Sequence, residues 1–517
     1  MTRPRESNHR SDTTVTRLRQ NNSDYGQYQA DAIVVGAGVA GLAAAETLAR
    51  GGLQVILLEA RDRIGGRLWT SRTDDGHPVE LGAEFIHGMP PAMFRRIAAA
   101  RLRTREVTGD MWRVEDGCWS RFDRKFGEQE EILSKMPERG RDLSFAAYLK
   151  RRSSPVPAEL RPYLMEYISG FHAADPKKIS VHSLAQGERA SEEIDGDRQF
   201  RLSGGYGALV EAMRVRLPAG RVRLHLQTVV EKIAWDRGEV RVTARNGGQK
   251  KEFRARCAVV TLPLGVLKAN EVEFDPPIKS KRGALRKLEM GPVIRIALHF
   301  RDRFWAKLRP PGAKNLGRLG FIFSREKWLP TWWTQWHDPV PILTGWAAGH
   351  RGRQLSGRSS EFVLARALES LGKLFGLSPQ HLRSQLMAYF VHDWQSDPFS
   401  RGGYSYAAAG GNGAFRELAR PLKGTLFFAG EATEFNGHNG TVNGAMDSGQ
   451  RAAQEVLSEL QRRKIMPSEK QRTAARRNIK KAAAAARRKR TVAHLPKSTR
   501  TALGKQGAKA ARRKRAA

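Results

Sequence analysis

The chain is 517 residues long with 40% hydrophobic and 27% charged residues, which excludes a wholly disordered or fibrous protein and gives length for two or three units. Its formal net charge is +38, and more than half of it sits at one end, where residues 461–517 hold 21 Lys and Arg against a single acid, Glu469. Two cysteines, Cys118 and Cys257, make neither a disulfide framework nor a zinc-ligand spacing, which fits a reducing compartment.

In chain order, residues 1–30 are polar with scattered Arg and no apolar h-region, so we expect a flexible leader and no secretory signal. The body opens on an apolar strand, Ala32 to Val35. It continues through Gly36-x-Gly38-x-x-Gly41 into an Ala/Leu helix, with Ala40 in its first turn, that Gly51-Gly52 stop after Arg50. The glycines and Glu46 within this apolar run argue against a membrane span. A second strand, Gln54 to Leu58, ends in Glu59, eighteen residues beyond Gly41. Strand, glycine turn, helix and acid together form a dinucleotide-binding fingerprint. The glycines permit a tight turn, the helix start faces a pyrophosphate, and the carboxylate accepts from ribose hydroxyls.

The loop that follows, Glu59-Ala60-Arg61-Asp62-Arg63 and then Gly65-Gly66-Arg67, sets flexible residues and guanidinium groups beside the position of a diphosphate. On composition alone it is also a solvated basic loop. Farther along, Trp328, Trp332, Trp333 and Trp336 cluster; they could line a tunnel, but we assign them to core. Thr425 to Ala429 reads as an apolar strand ending at Gly430-Glu431. From Val442 a helix carries Ala445, Gly449, Ala452, Val456 and Leu460 on one face, a pattern that also serves simple packing. Beyond it comes a low-complexity Ala/Lys/Arg tail without aromatic residues. Its charge suits salt-sensitive, sequence-independent binding to nucleic acid, with an acidic membrane surface or plain solubilisation as alternatives. Ala-rich stretches such as Lys481 to Arg490 would turn helical once phosphates neutralise their repulsion.

From Gly36 to Arg67 the chain resembles the flavin-containing amine oxidase family, which includes monoamine oxidases, polyamine oxidases and flavin-dependent histone demethylases. Further blocks agree in the family's order. Glu80 to Gly88 resembles the segment that passes the flavin ring, and Thr261 to Leu267 the return into the cofactor domain. Trp394, Asp397-Pro398 and Arg401 to Tyr406 resemble the active-site aromatic block, and Phe428 to Glu431 with Thr441 to Ala445 the closing FAD motif.

The resemblance implies FAD contacts at Gly36, Gly38, Ala40, Gly41, Glu59, Ala60, Arg61, Gly66, Arg67, Gly82, Ala83, Glu84, Phe85, Val230, Trp394, Gly430, Glu431, Thr441 and Val442. Ser405 stands where monoamine oxidases carry a flavin-linked Cys, which implies non-covalent FAD. Tyr406 matches one aromatic wall of the substrate cage. The second wall appears as Thr441, giving a half-open cage suited to an extended or bulky amine. His87 matches a histidine near the chamber entrance of animal polyamine oxidases, where it could contact a substrate ammonium or take its proton. Arg295 replaces the family's usual Lys at the strand before Phe304-Trp305. It can orient water but cannot act as a base, and its charge would stabilise reduced flavin; alternatively it is a salt-bridged strand residue.

The implied reaction is hydride transfer from an amine carbon to flavin N5, imine hydrolysis, and reoxidation by dioxygen with release of hydrogen peroxide. An L-amino-acid oxidase, with an arginine holding the substrate carboxylate, and a nucleic-acid-associated protein with a non-catalytic flavin module are the competing readings. The resulting expectation is an α/β chain. Its Rossmann-like FAD domain is built from 31–90, 205–265 and 390–460, and an interleaved α+β substrate domain from 91–204 and 266–389. A disordered basic tail covers 461–517, and the setting is cytoplasmic, nucleoid-associated if the tail binds DNA.

Overall fold

Strand Ala30–Val35 lies at the centre of a five-stranded parallel layer. It pairs with Val55–Leu58 on one side and with the second half of the long strand Gln249–Val260 on the other. Val222–His225 adds outside Val55–Leu58, and Leu426–Phe428 adds outside Ala258 to Val260. The central strands are buried on nearly every residue, which is why their sequences run apolar without alternation. The first half of Gln249–Val260 leaves this layer and pairs antiparallel with Glu239–Asn246, itself paired with Thr228–Asp236. One strand therefore belongs to two arrangements, a feature no local pattern announces. The computed structural model describes residues 29–122, 127–152, 154–336, 338, 340–465, 477–485 and 494–515; most of the expected leader and residues 466–476, 486–493 and 516–517 of the tail lie outside them.

A second sheet runs in the order Leu386–Asp393, Val293–Phe300, Ile342–Ala348, Thr331–Thr334, Leu319–Ser324, Asp110–Glu115, Cys118–Arg121. Val293–Phe300 is buried along its whole length. Helix Ser360–Phe375 starts at a Ser359 cap, which accepts from Phe362 N, and ends at left-handed Gly376. Its Leu364, Leu368 and Leu371 share a core with Ile294, Ile296 and Leu298, and truncating any one to Ala should cost about 2–5 kcal/mol. A helical layer holding Arg161–Gly170 and Val181–Glu192 forms a third core, which includes Tyr406. This arrangement is the mixed α/β class expected.

The described residues up to Gln454 form one compact unit and those from Glu455 a second. In the second, residues 477–485 and Lys497–Arg515 are helical, and every described side chain in 477–485 and 497–511 is exposed. Of the stretch expected to turn helical on charge neutralisation, Lys481 to Arg490, residues 481–485 are helical, in line with the high helix propensity of Ala, and 486–490 lie outside the described residues. No helix among the described residues is long and apolar enough to cross a membrane.

Candidate active site

A cavity of about 850 Å³ opens at the carboxyl ends of the parallel strands, bordered by Val35, Leu58 and Thr261, where ligands of open α/β sheets bind. The glycine turn shapes its floor. Gly36 has φ +100°, and a Cβ on Gly41 would sit 1.8 Å from the Gly36 carbonyl oxygen, so the strand-to-helix turn closes only without side chains there. Helix Val39–Arg50 begins at extended Gly38 with no side-chain cap, which leaves its first-turn N–H groups without intrahelical partners. Gly38, Val39 and Ala40 line the cavity, and a Cβ on Gly66 would come within 3.3 Å of Gly38 Cα. An uncapped helix start beneath a backbone cradle that a side chain would fill is a fitting seat for a dinucleotide diphosphate.

Around this floor the expected polar groups converge. Glu59 accepts from Ala37 N at 2.7 Å and Arg61 N at 2.9 Å, and burial raises its pKa. Arg61 donates to Asp397 at 2.7 Å and lies over the Phe399 ring at 5.3 Å; against the effect of burial, the hydrogen bond with His392 and then that from Arg61 hold the Asp397 carboxyl far below the usual range. Arg67 donates to Gly403 O at 2.7 Å and Glu431 at 2.9 Å. Glu431 also accepts from Ser405 N, Ser405 Oγ and Gly440 N, at 3.2, 2.5 and 3.1 Å. It therefore ties three segments together. A Cβ on Gly82 would strike the Arg67 carbonyl at 1.8 Å, and Trp394, whose indole donates to Leu81 O at 2.8 Å, packs against the same glycine. Thr441 Oγ1 accepts from Gly444 N at 3.0 Å and donates to His438 O at 2.7 Å, so it caps the closing helix Val442–Ile465.

The cavity continues into an aromatic chamber. Along strand Tyr404–Ala407, Tyr404, Ser405 and Tyr406 all line the cavity, with Ser405 turned to Glu431 and the two tyrosines alternating with it. Tyr406 accepts from Asp175 N at 3.4 Å, and burial pushes its pKa up to about 12. Tyr404 donates to Phe171 O and is likewise raised by burial. Phe171 stacks on Tyr167 at 5.1 Å and meets His87 edge-on at 5.4 Å. Burial lowers the His87 pKa to about 4, leaving its imidazole uncharged near neutrality.

Arg295 lies at the chamber wall with its charge already matched. It donates to Glu84 and to Gly82 O, the latter at 3.0 Å, and its guanidinium lies over Trp333 at 5.4 Å. Glu84 also pairs with Arg201 at 2.6 Å and accepts from Trp333 Nε1 at 3.0 Å. The salt-bridged alternative for Arg295 is thus the arrangement present, and the Glu84 carboxylate positions two arginines.

The cavity gathers every site residue expected from the sequence except Gly41, which packs behind the turn. Thr441 lines it, but with a hydroxyl engaged on both sides as a cap. Tyr404 also lines the cavity, its ring 3.4 Å from a Cβ built on Gly440. The sequence reading also missed Trp333 and Trp346, both on the cavity. Within Thr331–Thr334, Trp332 is fully buried in core while Trp333 turns to the cavity. Strand alternation was the signal that could have separated them.

Comparison with known proteins places this geometry. Residues 39–457 match the family of flavin-containing amine oxidoreductases. The chain is 31% identical to a polyamine oxidase of Oryza sativa subsp. japonica over 84% of its length and 92% of that protein. It is 28% identical to human lysine-specific histone demethylase 2 over 82% of its length and 53% of that protein. The fold is similar to a redesigned putrescine oxidase, with TM-score 0.69 and 22% identity over 83% of this chain and 99% of that one. It is similar also to cyclohexylamine oxidase from Brevibacterium oxydans, with TM-score 0.68 and 21% identity over 84% and 99%. With the nucleotide cradle and the chamber joined in one cavity, the chain belongs to the flavin-containing amine oxidoreductases and is an FAD-dependent enzyme of that family.

Proposed function

We propose that this chain oxidises amines at the carbon beside nitrogen, with FAD held non-covalently in the cradle and dioxygen as acceptor. The observation that carries the reading is the single cavity joining the glycine turn to the tyrosine-lined chamber. Bound FAD would supply the two-electron oxidation of the C–N bond, so that the amine would leave as an imine that water hydrolyses to an aldehyde or ketone, with dioxygen as the final acceptor yielding hydrogen peroxide.

The chain's residues hold, orient and exclude. The start of Val39–Arg50 and Arg61 would take the diphosphate, and Glu59 the ribose hydroxyls. Arg67, Glu431 and Ser405 fix the junction between cradle and chamber. Val442 and Asn443, first residues of the closing helix, bring its partial positive charge to the cavity wall. Tyr404, Tyr406, Tyr167 and Phe171 offer π faces to an alkylammonium and keep water out. Uncharged His87 does not repel that ammonium and can accept a hydrogen bond from it, while burial, which lowers its pKa to about 4, makes it a poor acceptor for the proton itself. Neither exposed Cys118 nor buried Cys257 lines the cavity, in keeping with non-covalent FAD. An amino-acid substrate is the weaker reading, because the guanidinium of Arg295 is spent on Glu84 and Gly82.

The same reading divides the body into the FAD and substrate domains expected from the sequence. Sheet membership supports that division only in part: Glu273–Asp275 joins the FAD-side sheet, Leu386–Asp393 joins the substrate-side one, and the pairings of Leu288–Gly291 with Tyr404–Ala407 and of Ile86–His87 with Gln199–Leu202 cross it. The tail, residues 461–517, we assign to nucleic-acid phosphates on its charge, in a cytoplasmic, nucleoid-associated setting. Deleting it should leave turnover intact and abolish salt-sensitive DNA retention; unchanged retention refutes that assignment. For the activity, a visible spectrum and a peroxide assay over mono-, di- and polyamines decide. A yellow, fully loaded preparation that no amine reduces would overturn the enzyme reading.

A further inference from the structure

Most carboxylates on the chamber side of the cavity already have cations. Glu166 pairs with Arg351 at 2.6 Å, Glu84 lies between Arg295 and Arg201, and Glu115 has Arg325 at 3.9 Å and the Tyr163 hydroxyl at 3.4 Å. Glu188 differs. It sits on helix Val181–Glu192, which Ser180 caps by accepting from Ser183 N at 3.0 Å. Its side chain is only 7% exposed, it lines the cavity, and among the described residues neither Lys nor Arg pairs with it and its carboxylate accepts no hydrogen bond. Its one charged neighbour is His172 Nε2 at 3.5 Å, a pair only when the imidazole is protonated. His172 in turn packs edge-on against Phe171 and Tyr167, rings of the chamber wall, at 5.3 and 5.5 Å.

We propose that Glu188, with His172 beside it, receives a second ammonium of the substrate, so that the enzyme selects diamines and polyamines whose two nitrogens span a fixed distance. The inference rests on the amine-oxidising reading above and adds the subsite that sets its specificity. A carboxylate enclosed without a cation is costly. An arriving ammonium supplies both charge and donors, up to three of them, so the gain falls on substrates with a far-end nitrogen. Exchanging that ammonium for a methyl group should lower kcat/KM roughly tenfold to a hundredfold, the range of a hydrogen bond to a charged group.

The experiment compares α,ω-diaminoalkanes with n-alkylamines of equal length on the FAD-loaded full chain. One diamine length should exceed its monoamine at least about tenfold in kcat/KM, the E188Q variant should bring the ratio near one, and E188D should move the optimum toward a longer diamine. Equal constants in the native enzyme, or a ratio that survives E188Q, overturns the proposal. Monoamine turnover by the same E188Q preparation reports that it is folded. If no amine is turned over, the activity reading fails separately, and calorimetry on the loaded protein decides the subsite. Tighter binding of diamine than monoamine that E188Q abolishes supports it; equal binding refutes it.

Discussion

The buried cluster around Glu84 yields a quantitative expectation. Glu84→Gln removes the carboxylate that pairs with both Arg295 and Arg201 while keeping side-chain volume. The Arg295 and Glu84 side chains are 4% and 5% exposed, and that of Arg201 is 16% exposed. Removing one partner of a buried pair typically costs about 3–5 kcal/mol, since the other charge stays behind unmatched. Here two guanidinium groups stay behind and face each other, so the upper part of that range applies. For a folded body of this size the unfolding entropy corresponds to roughly 0.9 kcal/mol per degree, and the midpoint should fall by about 4–6 °C. Arg201→Met or Arg295→Met should cost less, because Glu84 then keeps one arginine and the Trp333 N–H. Denaturant unfolding of the loaded protein across the E84Q/R295M double-mutant cycle measures the coupling. A loss under about 0.5 kcal/mol for E84Q, or additive single effects, would refute the claim that this carboxylate neutralises both arginines.

Three further expectations are independent of that cluster. Glu80 accepts from Thr70 Oγ1 at 3.0 Å and Tyr206 N at 2.6 Å, and burial pushes its pKa from 4.5 up to about 7. Because the folded value lies above the unfolded one, its stabilising contribution is full below pH 4.5 and is lost as pH rises through about 7, a change on the order of 3 kcal/mol. Chemical denaturation as a function of pH should show this loss, and E80Q should flatten it. Gly41→Ala, with its Cβ 1.8 Å from the Gly36 carbonyl, should lose bound flavin and at least about 3 kcal/mol. Gly52→Ala, at φ +90° in open space, should cost about 1–2 kcal/mol and keep its visible absorbance. His87→Gln should lower amine kcat/KM without moving its pH profile between about pH 6 and 9, because the imidazole is already uncharged there. A limb that disappears from that profile would contradict the burial argument.

How much of this was legible follows from the range of each interaction. The glycine turn, Glu59 and the closing strand and helix could be read because their contacts lie within one βαβ unit or one helix cap. Arg295 was visible as an oddity on its strand, yet its meaning depended on Glu84, 211 residues away, and no spacing rule spans that gap. Glu431 was expected to face a ligand, and it does line the cavity. Its oxygens, however, also bind Arg67, Ser405 and Gly440, a structural load invisible until three segments meet.

Strand Tyr404–Ala407 shows how the chamber wall and the cofactor cradle constrain each other. Its alternation points Ser405 to Glu431 and Tyr404 and Tyr406 the opposite way, all three residues bordering the one cavity. A slip of one residue would reverse all three. The pairing with Leu288–Gly291 fixes that register, setting Tyr406 opposite Glu289 and Tyr404 opposite Gly291. A Cβ on Gly291 would meet Ala173 Cβ at 2.7 Å, so the turn after Phe171 presses directly on this edge. The tyrosines that line the cavity and the serine that anchors Glu431 are therefore set by one register. Substrate selectivity and cofactor retention should respond together to any change at Gly291, although that residue does not line the cavity.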